Sequence, residues 1–101
     1  MIKEKWHNYN LSQQFGNIGS EILRAINREK VGDMAGRQKA LERSLELIDF
    51  TISDSGNSRR LKEIVRLREL VAGNYLNNDY YQVSLEDLNK YLLAFGLLAK
   101  N

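Results

Sequence analysis

Four stretches of this chain place apolar residues three or four positions apart, the period of a helix with one buried face. In the first, Leu11, Phe15, Ile18, Ile22 and Ile26 share a face, flanked by Leu23 and Ala25. The second aligns Met34, Leu41, Leu45, Ile48 and Ile52, and the third Leu61, Ile64, Val65, Val71 and Ala72. The last aligns Leu85, Leu88, Leu92, Phe95 and Ala99. Proline is absent from all 101 residues, so nothing interrupts long helices. With no strand signal beside these stripes, the chain is expected to be all-α.

The boundaries carry their own punctuation. Asn10 and Asp33 are expected N-caps, Gly32 ends the first helix, and Ser58 caps the third, which Gly73 stops. Ser84 and Asp87 form an S-x-x-D variant of the capping box. The run "SDSGNS" at 53–58 reads as a loop, and "GNYLNNDYYQV" as a longer polar and aromatic connection. Helices are therefore expected over about 11–31, 34–53, 59–72 and 85–99. Short connections make sequence neighbours antiparallel, which predicts a single-domain antiparallel four-helix bundle over residues 1–101.

Hydrophobic residues make up 43% and charged residues 28%, the balance of a globular chain. Cysteine is absent, which excludes disulfides and thiolate metal sites and makes a reducing cytoplasm the expected location. No apolar run approaches the roughly 20 residues of a membrane span, so no membrane association is expected. A net charge of +2 is only mildly basic.

Of the surfaces, the third helix is the most informative. "RRLKEIVRLREL" holds Arg59, Lys62 and Arg66 at i, i+3 and i+7, one basic stripe able to follow phosphates. The competing reading is a solvated face neutralised by Glu63 and Glu69. Arg68 falls amid Leu61, Ile64 and Val65, so an ion pair inside the bundle with Glu21 or Asp49 is expected, because an unpaired buried guanidinium is costly. Arg37 sits similarly at the edge of the second stripe. Gly16 and Gly19, beside Ser20 and Ala25, thin one side of the first helix, for close packing within the chain or between chains. Trp6 and Tyr9, with Tyr75, Tyr80 and Tyr81, are expected to close the bundle ends. Leu93, Leu97 and Leu98 lie beyond the last stripe and suit self-association, unless Trp6 covers them.

Catalysis is the poorest fit. His7 has no partner at ligand spacing and reads as a surface residue, and no phosphate-binding glycine loop is present. Glu42, Glu46 and Asp49 line one side of the second helix in a way that suits Mg²⁺ in an all-α nucleotide hydrolase. That use requires a second acidic pair on a facing helix, so a solvated charged face is expected and no metal or cofactor is assigned.

The segments "WHNYN…QQFGNIGSEILRA", "ALERSLELIDFTI", "RLKEIVRLREL" and "KYLLAFG" resemble a group of short, uncharacterised prokaryotic helical-bundle proteins. More distantly, the length and helical pattern are similar to HEPN-type domains, toxin or nucleotidyltransferase companions whose RNase signature is an arginine followed by histidine. No histidine follows an arginine here, so that activity is not implied. The pattern also resembles the four-helix retroelement-accessory and intervening-sequence proteins, which implies an oligomeric module binding RNA, DNA or a nucleic-acid-processing protein. The reading carried forward is a non-enzymatic interaction module.

Overall fold

The computed structural model describes residues 3–77 and 83–98. Expectations for Tyr80, Tyr81 and Ala99, and for the side chains of Phe95, Leu97 and Leu98, lie outside the described residues. The fold is all-α: α1 (Lys3–Trp6), α2 (Leu11–Lys30), α3 (Met34–Ser53), a 3₁₀ turn (Ser55–Arg60), α4 (Leu61–Tyr75) and α5 (Leu85–Leu98). Helix α2 packs against both α3 and α5, α3 also packs against α4, and α4 meets α5 more sparingly.

Local chemistry explains most of the boundaries. The Asn10 side chain accepts from the Gln13 amide, and the Gln13 side chain accepts from the Asn10 amide, a reciprocal capping box that starts α2. Gly32 at φ +78° turns the chain where a Cβ would strain it, and Asp33 accepts from the Gly36 amide to start α3. The Asp87 amide donates to Ser84 Oγ ahead of α5.

The third helix departs from expectation at both ends. Asp54, not Ser58, caps this region: it accepts from Gly56 N and starts a 3₁₀ turn, so "SDSGNS" is not an open loop. Helix α4 begins at Leu61 without a side-chain cap and runs through the buried Gly73 to Tyr75, where Asn77 at φ 53° ends the turn.

At the centre lie Phe15, Ile18, Ile22 and Ile26 of α2 and Leu41 and Ile48 of α3. Ile64, Leu67 and Val71 of α4 and Leu85, Leu88 and Leu92 of α5 complete the core. Two helices are rotated from the predicted stripes. In α4 the inward residues are Ile64, Leu67 and Val71, which turns the buried face about 70° from the predicted one at ~100° per residue. Leu61 and Val65 consequently stand 42% and 38% exposed. Helix α3 buries Arg37, Ala40, Ser44 and Thr51, while Met34 is 47% exposed and Leu45 half-buried. The hydroxyls tolerate burial because Ser44 and Thr51 donate to the carbonyls of Ala40 and Leu47, one turn back in their own helix.

Trp6 of α1 is buried against α3, not over Leu93, which stays 64% exposed. Its Nε1 donates to Thr51 Oγ1 at 2.9 Å, and its ring meets Tyr9 edge-on at 5.8 Å. Beside it Gln14 Nε2 donates to the Trp6 carbonyl and to Asp54 Oδ2, both at 3.1 Å. Asn57 Nδ2 in turn donates to Gln14 Oε1 at 2.9 Å and to the Thr51 carbonyl at 3.1 Å. A polar network thus ties α1, α2, α3 and the 3₁₀ turn together at one end of the molecule.

Candidate functional site

The rotation of α4 decides what its outer surface offers. With Ile64, Leu67 and Val71 inward, Lys62 and Arg66 project on the far side, with Val65 and Glu69 alongside. Leu61, Lys62, Val65, Arg66 and Glu69 line one shallow surface depression. Arg59 precedes this ridge in the 3₁₀ turn, so it does not continue an α-helical i, i+3, i+7 row, but it too is exposed. The structure therefore places Lys62 and Arg66 together on the outer face of α4, while Arg59 stands exposed in the preceding 3₁₀ turn and does not line their depression.

Acids temper this surface unevenly. Arg66 meets Glu69 at 3.3 Å and Arg60 meets Glu63 at 3.9 Å, both i, i+3 pairs in solvent. Among the described residues neither Arg59 nor Lys62 has an ion-pair partner. Exposed pairs contribute little stability and exchange readily, so Arg66 can still offer its guanidinium to another anion.

Arg68 corrects one expectation. Its Nε donates to Asp49 Oδ1 at 2.6 Å, but both side chains are about half exposed, so this is a surface pair between α4 and α3. The same rotation explains it, because Arg68 sits on the flank of the buried face and not in its middle. The Asp49 hydrogen bond, against the opposing effect of desolvation, raises the guanidinium above its ordinary pKa. Glu21 does not join them; its Oε2 lies 3.9 Å from Arg43 Nη1, across α2 and α3. The cation that is buried is Arg37. Its Nη2 donates to the Asn74 carbonyl at 3.2 Å and its Nη1 to Gln38 Oε1, while its Nε stands 3.2 Å from Glu29 Oε1. It thereby neutralises the carbonyl end of α4, where a cation is favoured.

The acidic row on α3 does not converge. Tyr75 Oη donates to Glu42 Oε1 at 2.7 Å, Asp49 holds Arg68, and Glu46 faces a different cleft. Among the described residues no group of three or more His, Asp or Glu side chains is placed to hold a metal ion. The Glu42 contact keeps the Tyr75 phenol above its ordinary pKa; burial does the same for Tyr91, with Glu63 adding to it. His7 is exposed, its Nε2 3.4 Å from the Phe50 carbonyl and from Ser53 Oγ.

The two glycines of α2 separate in role. A Cβ on Gly19 would rest in ordinary contact with Asn89 and Leu92 of α5, whereas one on Gly16 would meet nothing within 4 Å, so Gly16 is not a close-packing position. Both border an apolar groove of about 290 Å³ between α2 and α5, with Phe15, Leu23, Leu92 and Leu93 along its walls. No helix among the described residues is long and apolar enough to cross a membrane. No protein-family model, curated protein or solved structure matches the chain.

Proposed function

We propose that this protein is a non-enzymatic helical interaction module that binds nucleic acid through the outer face of α4 and the preceding 3₁₀ turn. The observation that supports the reading is the exposure of Lys62 and Arg66 on the outer face of α4 and of Arg59 in the adjoining 3₁₀ turn, with Arg59 and Lys62 lacking ion-pair partners among the described residues. Cations so placed contact phosphates without reading sequence. Three phosphate contacts give a slope of log affinity against log salt of about −2.7 on duplex DNA, or roughly 40-fold between 50 and 200 mM. Fluorescence anisotropy with a short labelled duplex tests this: Arg59→Ala with Arg66→Ala is expected to flatten the slope by about two and to weaken all sequences alike. An unchanged slope overturns the reading.

Exposed Leu61 and Val65 between the cations favour a second reading, in which the same face docks an acidic surface of a nucleic-acid-processing protein. In that case binding to bare duplex is weak, and Val65→Ser matters as much as the loss of a cation. We read the packing of the four long helices as an antiparallel up-and-down bundle. We further read the chain as a homo-oligomer, because Leu23 and Leu93 stand exposed on the rims of the α2–α5 groove. Light scattering of the purified chain reports the assembly, and a monomer at all concentrations refutes it.

A further inference from the structure

Next to the groove with α5, across the Ser20 edge of α2, a cleft of about 360 Å³ opens between α2 and α3, at the lower end of small-molecule pockets. Each helix contributes one acid and one base three residues apart: Glu21 and Arg24 from α2, Arg43 and Glu46 from α3. Trp6 and Leu47 supply its apolar lining. The Glu21 Oε2 atom is buried and has no hydrogen-bond partner; its nearest cation, Arg43 Nη1 at 3.9 Å, is within ion-pair range but beyond hydrogen-bonding distance. Among the described residues Arg24 and Glu46 also lack ion-pair partners. A buried acceptor without a donor is costly, and native structures rarely leave one so.

We propose that this cleft binds a small zwitterion of the α-amino acid class. The lining charges cancel, two carboxylates against two guanidiniums. A ligand that is only a cation faces both arginines, and one that is only an anion faces both glutamates. A zwitterion answers each pair: its ammonium donates to Glu21 Oε2 with Glu46 nearby, and its carboxylate accepts from Arg24 and Arg43. An apolar side chain then lies against Leu47, above the buried Trp6. This site is separate from the α4 face and independent of any nucleic-acid binding there.

The chain contains a single tryptophan, Trp6, buried in the wall beneath the cleft, so its emission reports changes in packing there while calorimetry reports binding itself. The intact protein is titrated separately with glycine and with α-amino acids bearing aliphatic and aromatic side chains, by tryptophan fluorescence and calorimetry in parallel. Acetate and methylammonium serve as single-charge controls. A saturable response to at least one apolar amino acid is expected, with neither control binding comparably. Glu21→Gln, with an unchanged circular dichroism spectrum, is expected to weaken it at least tenfold. Arg24→Ala, an exposed position that leaves the fold intact, is expected to do the same. No saturable response by either method across the set overturns the proposal, as does binding that survives Arg24→Ala or is matched by acetate or methylammonium.

Discussion

Replacing Asn57 with alanine probes the polar network at the Trp6 end of the molecule. Asn57 is 7% exposed, and its Nδ2 donates both to Gln14 Oε1 and to the Thr51 carbonyl. Each such bond contributes about 1 kcal/mol net, and an acceptor stranded without a donor adds about 1–3 kcal/mol. The Thr51 carbonyl keeps the Asp54 amide as a partner, so only Gln14 Oε1 is stranded. The expected loss is therefore about 3–5 kcal/mol, a large share of a typical domain's stability of about 5–15 kcal/mol. At about 4 °C or more per kcal/mol for a domain of this size, the melting temperature should fall by at least roughly 12–20 °C. Urea unfolding followed by circular dichroism measures this. Repeating the substitution in a Gln14→Leu background isolates the stranded acceptor: Asn57→Ala should then cost at least about 1 kcal/mol less. A loss under about 0.5 kcal/mol in the native background, or full additivity in the double variant, refutes the reasoning.

Arg37→Ala should cost about 2–4 kcal/mol in the same assay, because it strips a buried cation from the Asn74 carbonyl and the end of α4; the loss should be nearly independent of salt. The Arg68–Asp49 pair is half exposed, so Arg68→Ala, Asp49→Ala and their double variant should yield a coupling energy below about 1 kcal/mol that shrinks with added salt. Tyr75 and Tyr91 have raised pKa values. A phenol raised in the folded state favours folding fully below its unfolded pKa of about 10, and that contribution disappears as pH rises through the folded value. Stability should therefore decline above about pH 10, less steeply in Tyr91→Phe, and ultraviolet titration should find these two phenols ionising after an unstructured tyrosine.

The helical class and most element boundaries were legible because they rest on local chemistry. The Asn10 and Asp33 caps, Gly32 and the Ser84–Asp87 contact each involve residues within a few positions of one another. The α2 stripe from Phe15 to Ile26 was equally legible, because its apolar residues leave one choice of face. Helix α4 was not, since Leu61 and Val65 compete with Leu67 for the inward side and only packing against α3 and α5 decides between them. That rotation alone moved Arg68 from the core to the surface. The burial of Ser44, Thr51, Gln14 and Arg37 had no signal in the pattern, because their partners lie in their own helix backbone or on elements far along the chain. The α2–α3 cleft was hidden for the same reason: Glu21 and Arg24 read as an ordinary solvated edge until α3 brings Arg43 and Glu46 opposite them.

We propose Arg59 of the 3₁₀ turn with Lys62 and Arg66 of α4 as the working surface, and amide chemical-shift mapping tests that most directly. Titrating the isotope-labelled chain with a short DNA duplex at low salt should displace the amides of residues 59–66 and leave those lining the α2–α3 cleft in place. Shifts confined to other faces, or none at low salt, would contradict the assignment.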